Sequence, residues 1–493
     1  MHRIAAICIS AIFLSTAAFA TDINFQLDSL DAGHPVKEMR VMDLNGDGVK
    51  DIVATAISGV APNEKRLVLI WFADKNKSYP KAPDASLQVP EGACAFDLDD
   101  LNGDGEAELI LFYRYKTTAQ PVNRDGIGKA IKIASEGGGV LFPDRKKLPY
   151  LNLVRNWAGD KKPEMILPDF GLLSFYMWNG DSFVQKAKLP VEMERSFASA
   201  ESRGEENMGF LTFATVTVPD LAQCDFDNDG LDDLYVLGGE RLAVFRQIDG
   251  GFESKPGYER FVKIKSAQEA KQDNFAVAAT VKDIDADGFG DLILSKFGGG
   301  LMDYSSLIRV YKGGPDGLSN QPAYERSQEG FSGAPLAKDA DGDGQIDLAA
   351  PSVNISIPSL IKLLTTKKMK IRFNLFLRKG KALLPPEPDY SVDATFIVDM
   401  TKGFELVGAP PSVGYDFNAD GRPDVFSGGG IEPMGVYLGL GDGGFSKEKF
   451  GSIEAPISRH VDVVNLEDDG RADVVIWYES PEREREIRVY KNQ

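Results

Sequence analysis

Along this chain of 493 residues one nine-residue pattern returns eight times, once in degraded form. It reads acid or Asn, any residue, acid or Asn, a short turn residue, Asp, Gly, two free positions and a closing acid. The cleanest copies span residues 43–51 and 283–291. Oxygens at positions 1, 3, 5 and 9, with the carbonyl of position 7, can surround one hard cation, and Gly at position 6 permits the turn that aims them inward. An EF-hand loop would continue to a bidentate Glu at position 12 and lie between helices. Here the ninth residue opens a β-branched run, as in Asp51-Ile-Val-Ala-Thr and Asp473-Val-Val-Ile-Trp, and a short apolar stretch precedes the loop. The loop therefore reads as a hairpin turn between two strands.

The eight copies begin at Asp43, Asp100, Asn156, Asp225, Asp283, Asp339, Asp416 and Asn465, a period near 60 residues. After each loop come a second strand, an aromatic-rich third strand such as Leu67-Val-Leu-Ile-Trp-Phe, a Gly turn and a fourth strand. The last unit stops at Gln493 one strand short, and a spare strand, Ile23–Leu27, precedes the first. Pairing the two removes an open sheet edge and closes a ring. The expected fold is all-β: an eight-bladed β-propeller of four-stranded antiparallel blades, closed by the N-terminal strand. An open solenoid is the alternative, but neither end carries a capping repeat.

The Asp-Leu-Asn-Gly-Asp-Gly-x-x-Asp loops and the Gly-Gly-Phe turns at 250–252 and 443–445 resemble those of FG-GAP/VCBS repeat proteins, the group that includes the integrin alpha-subunit head. The resemblance spans residues 22–493. It implies a calcium-binding propeller, often secreted and engaged in adhesion or recognition. Such propellers also occur within enzymes, so the resemblance does not fix function.

Seven loops are expected to bind Ca²⁺. Three offer four carboxylates: Asp225, Asp227, Asp229 and Asp233; Asp283, Asp285, Asp287 and Asp291; Asp339, Asp341, Asp343 and Asp347. Four offer three carboxylates and an amide: Asp43, Asn45, Asp47 and Asp51; Asp100, Asn102, Asp104 and Glu108; Asp416, Asn418, Asp420 and Asp424; Asn465, Glu467, Asp469 and Asp473. The position-7 carbonyls belong to Val49, Glu106, Leu231, Phe289, Gln345, Arg422 and Arg471. Mg²⁺ fits less well, since it takes few carboxylates and strict octahedral geometry. The third loop, Asn156–Glu164, has Ala158 at position 3 and Lys161 where Gly is needed, and is expected to be empty.

Residues 4–20 are almost wholly apolar and end in Ala18-Phe19-Ala20, the pattern of a signal cleaved after Ala20. This points to a secreted or periplasmic protein, with residues 21–493 as one propeller domain and no membrane span. The net charge of −19 argues against nucleic acid and anionic membrane partners. Cys94 and Cys224 read as free thiols, with a disulfide as the alternative. No Gly-x-Ser-x-Gly or His-Glu-x-x-His motif is present, and no catalytic residue is assigned. His34 and His460 fall in blades that ring closure makes neighbours.

One element is foreign to the repeat, an insertion over about 352–370. Pro358 opens a helix expected to run to Lys370, with Ile357, Leu360, Ile361 and Leu364 at helical spacing. Lys362, Lys367, Lys368, Lys370, Arg372, Arg378, Lys379 and Lys381 form a basic island, either solvated above a packed helix or docking an anionic partner. The leading expectation is a monomeric binding or adhesion module for a protein or glycan, with calcium structural. A polysaccharide-active lyase or hydrolase is the alternative.

Overall fold

The computed structural model describes residues 23–493 except 75, 202–209, 273, 301–303, 330–333, 354–355, 381, 400–404, 429–430 and 441–442. The expected leader and Lys381 therefore lie outside the described residues. Eight antiparallel sheets follow one another in chain order, over residues 36–88, 93–134, 154–190, 220–261, 275–329, 336–407, 412–453 and 460–492. These are blades 1 to 8 of a propeller. The fourth strand of blade 8 is the N-terminal Phe25–Asp31, which pairs with Glu486–Asn492 from Phe25 opposite Asn492 to Asp31 opposite Glu486. The ring closes as expected, though the strand begins two residues later and runs further. Ile23 instead packs beside Phe417 and Val436, between blades 7 and 8.

The core is distributed as wedges between blades. Val36, Trp71, Trp477 and Ile487 fill the junction of blades 8 and 1, and Val53, Phe72, Phe96 and Leu109 that of blades 1 and 2. Each of the other six junctions has its own apolar cluster. A strand inside a blade is thus covered on both faces and reads as a continuous apolar run rather than an alternating one. In Asp51–Ser58 the first six residues are all buried.

Three features depart from the simple repeat. A ribbon of Glu194–Glu201 and Phe210–Thr217 is inserted between blades 3 and 4. Blade 6 gains a fifth strand, Glu405–Val407. The helix covers Ile357–Thr366 and ends four residues before the expected Lys370, because Lys367 adopts a left-handed conformation at φ 53° and Lys368 already begins the strand Lys368–Phe376. Cys94 and Cys224 are both free.

The closing strand gives a direct test. Leu30 is buried in the junction of blades 8 and 1, whereas Leu27 on the same strand is 44% exposed. Leu30→Ala should lower stability in a denaturant melt by about 2–5 kcal/mol. Leu27→Ala should stay within about 0.5 kcal/mol. Equal effects would mean that the strand does not close the ring in solution.

Candidate metal centres and the opposite face

In each intact loop the sixth residue is Gly, with φ between 80° and 90°, the left-handed conformation the turn requires. The backbone N–H of that Gly donates to the first-position carboxylate at 2.7–3.0 Å in six loops, from Gly48 to Asp43 through Gly421 to Asp416. The seventh N–H donates to the fifth-position carboxylate at 2.8–3.0 Å in all seven. Loop shape is therefore set by short side-chain-to-backbone bonds that also orient the acids.

The ninth carboxylate does more than the sequence suggests. Asp51, Asp233, Asp291, Asp347, Asp424 and Asp473 are at most 2% exposed. One oxygen of each accepts the N–H of loop position 2 at 2.8–3.0 Å, from Leu44 for Asp51 to Leu466 for Asp473. The other accepts an N–H at the end of the third strand or just beyond it, at 2.7–2.9 Å: Ala73, Gln247, Gly313, Arg378, Gly439 and Asn492 in turn. This carboxylate pins the loop to its own blade. Burial pushes Asp51, Asp424 and Asp473 up to about 7, and Asp233, Asp291 and Asp347 up to about 6, against the lowering effect of those two N–H groups.

The loops also tie blades to one another. The eighth N–H of one loop donates to the preceding loop: Ala107 to the Leu44 carbonyl, Gly290 to Asp225, Ala472 to Asp416, and across the ring closure Lys50 to Leu466, all at 2.8 Å.

Three carboxylate oxygens converge in each of the loops with four acids. Asp225, Asp227 and Asp229 each bring one oxygen within 4.8 Å of the others, as do Asp283, Asp285 and Asp291, and Asp339, Asp341 and Asp347. Asp227 Oδ1, Asp285 Oδ1 and Asn465 Oδ1 are buried without a hydrogen-bond partner. An oxygen so placed is costly unless something positive fills the gap. The donor set, all oxygen and rich in carboxylate, fits a hard divalent cation. Cationic side chains stand at the rims: Arg124 lies 3.4 Å from Asp47, Arg246 3.3 Å from Asp227, Lys77 3.0 Å from Glu467, and Lys312 contacts both Asp285 and Asp287.

The third loop keeps the backbone with only two of its acids, Asp160 and Glu164. Lys161 takes the left-handed turn at φ 69° despite its Cβ. Glu164 Oε2 accepts the N–H of Trp157 and Ala158, as a ninth carboxylate does. The carbonyls of Trp157 and Ala158 are held by Gln223 and Gln247 of blade 4, so amide bonds couple these blades.

At the other end of the blades lie the loops joining strands 2 to 3 and strand 4 to the next blade. Here Arg114 stands between two exposed rings, its guanidinium carbon 5.2 Å from the Tyr115 centroid and 5.0 Å from that of Phe142. Tyr115 is 70% and Phe142 58% exposed. Lys116 covers Tyr113 at 4.6 Å, and Arg145, Lys146 and Lys147 are exposed on the same loop as Phe142. Sequence reading missed this patch because its members come from two separate loops. His460 stacks on Trp477 at 3.6 Å and lies 3.5 Å from Glu479, and burial holds its pKa down. Among the described residues no bond or ring contact joins it to His34.

Residues 225–294 and 416–476 match the FG-GAP-like repeat family. No curated protein matches the chain. Similar solved structures include one described as specific recognition of non-reducing terminal N-acetylglucosamine by an Agrocybe aegerita lectin, at 12% identity over 76% of this chain and 96% of that one, TM-score 0.41. Another is the V. cholerae biofilm matrix protein Bap1, at 12% identity over 95% and 91%, TM-score 0.40. A third, the Photorhabdus luminescens Tc holotoxin pore, is 12% identical over 68% of this chain and 14% of that chain, TM-score 0.29. These likenesses carry no inference about a ligand.

The raised ninth carboxylates give metal-free protein a defined pH response. Each binds its proton more tightly folded than unfolded, where the value is near 3.8. Its stabilising effect is complete below that value and is lost as pH rises through 6 to 7. In chelator, the melting temperature should therefore rise as pH is lowered from about 7.5 to about 5. A metal-free melt that is flat or falls over that range would show these carboxylates to be solvated.

Proposed function

We propose that this FG-GAP-repeat propeller is an exported, calcium-stabilised recognition module for an anionic glycan. One face carries the metal loops and the other the ligand. The observation that carries the reading is the exposed Arg114, set between the rings of Tyr115 and Phe142. A flat ring exposed to water suits the C–H face of a sugar, and a guanidinium beside it suits a carboxylate or sulfate. On the two loops of the patch Arg114, Lys116, Arg145, Lys146 and Lys147 stand against Glu136 and Asp144, so the local field attracts an anion within an acidic protein.

Calcium has a structural part in this reading. The loops lie at the far end of the blades from the patch, and the ninth carboxylates tie each loop to the body of its blade. An ion in each of the seven intact loops would offset the repulsion among their acids and favour the native ring over the unfolded chain. Residues 1–20 supply the export signal, and an extracellular setting supplies calcium. Among the described residues no helix is long and apolar enough to cross a membrane.

The test is binding of the calcium-loaded protein to a uronic-acid polymer and to a neutral glucan, alongside Arg114→Ala and Tyr115→Ala. The acidic polymer should be retained, the neutral one should not, and each variant should weaken retention roughly tenfold or more. Chelator should lower the melting temperature, calcium should restore it, and Mg²⁺ should restore less. Retention unchanged by both substitutions would remove the patch as the ligand site, and a melt indifferent to verified calcium removal would remove the ion's role.

A further inference from the structure

The helix Ile357–Thr366 is well made and poorly covered. Ser356 and Ser359 form a capping box at its start, and Lys367 closes it in the left-handed conformation. Of its ten residues only Leu363 is buried. Ile357 is 62% exposed, Ile361 58% and Leu364 68%. Spaced by four and three, these side chains form one stripe along the helix, and the stripe faces water. The sequence pattern suggested that this was the packed side; in the structure Leu363, off the stripe, makes the buried contact. Lys367 and Lys368 close the stripe at the C-terminal end of the helix, Lys362 is exposed on another face, and none of the three forms an ion pair among the described residues, whereas Lys370 and Arg372 are engaged by Asp393.

We infer that this helix, with the loop tips around it, is a contact site for an anionic lipid bilayer surface. An exposed aliphatic stripe edged by lysines is the pattern that lies in a lipid headgroup layer, apolar side down and ammonium groups among the phosphates. Aliphatic side chains offer no flat face for a sugar ring. The wider surface fits a plane better than a groove. The connections between the second and third strands all open on the helix's side of the ring, and outside the glycan patch three others there present exposed apolar tips: Val60 at 79%, Phe170 at 49% and Ile431 at 44%. A protein groove would cover the helix alone, whereas a flat surface also meets the tips.

The acidic character of the chain does not oppose this. The seven intact loops hold 24 of the 74 acidic residues in ligand positions, which leaves 50 against 55 basic ones. Those 24 sit at the far end of the blades. A seven-residue strand spans roughly 23 Å, well beyond the Debye length of about 8 Å at physiological salt.

The experiment is flotation of the calcium-loaded full-length protein with vesicles of phosphatidylcholine alone and with about one-third phosphatidylglycerol, over a range of salt. The protein should float with the anionic vesicles, less as salt rises, and little with the neutral ones. Ile361→Glu with Leu364→Glu should reduce the bound fraction roughly tenfold or more. Lys362→Gln with Lys367→Gln and Lys368→Gln should do so in a salt-dependent way. All these positions are exposed, so melting temperatures should match the parent and confirm that the variants fold. Retention of the uronic-acid polymer by the variant with Ile361→Glu and Leu364→Glu should match the parent, which keeps this site separate from the glycan patch. Protein that stays at the bottom of the gradient with anionic vesicles would overturn the inference, as would equal flotation of the glutamate variant. A concentration-dependent dimer abolished by the glutamate variant, without flotation, would assign the stripe to a second copy of the chain.

Discussion

The buried carboxylate at the ninth position of each loop is the interaction on which most of the architecture rests. It lies where the loop becomes the second strand, so one oxygen can hold the loop and the other the region where the third strand ends. Burying a carboxylate is expensive unless hydrogen bonds or a cation answer it. Two N–H groups meet part of that cost, while burial still holds Asp51 and its counterparts above the usual carboxylate range. A cation between the remaining acids is the natural complement. The pattern recurs because each blade faces the same problem and solves it with the same nine residues.

This arrangement divides the molecule into two ends. At one, acids and the N–H links between loops join blade to blade, including Lys50 to Leu466 across the closure. At the other, the connections carry no shared constraint and differ from blade to blade: a short turn beside Arg114, a long strap bearing Phe142, a helix in blade 6. Conserving geometry at one end leaves the other free to vary, and exposed aromatic and aliphatic side chains collect there.

Much of the fold was legible because the loop is both a metal pattern and a turn. The spacing from Asp43 to Asn465 counted the blades, and the missing last strand showed how the ring closes. The sequence could not show that Asp51 bonds to Ala73, because that depends on where the third strand ends in space. The links between neighbouring loops were hidden for the same reason, since they run from backbone to backbone and leave no residue signature. The third loop was legible as degraded in its acids, but not in its backbone: Lys161 keeps the glycine conformation, and Gln223 and Gln247 take over the coupling from a different blade. The helix misled for a further reason. Apolar spacing on a helix ordinarily marks the buried side, and here Ile357, Ile361 and Leu364 point to solvent.

The most direct test of the account is anomalous scattering from crystals grown in calcium, measured at a wavelength where calcium contributes. Seven peaks should appear, one within each loop that keeps its acids, each surrounded by oxygens of positions 1, 3 and 5, the seventh carbonyl and the ninth carboxylate. None should appear at Asn156–Glu164. Empty loops at Asp283–Asp291 and Asp339–Asp347, where three carboxylate oxygens converge, would contradict the claim that these carboxylates are arranged around a cation.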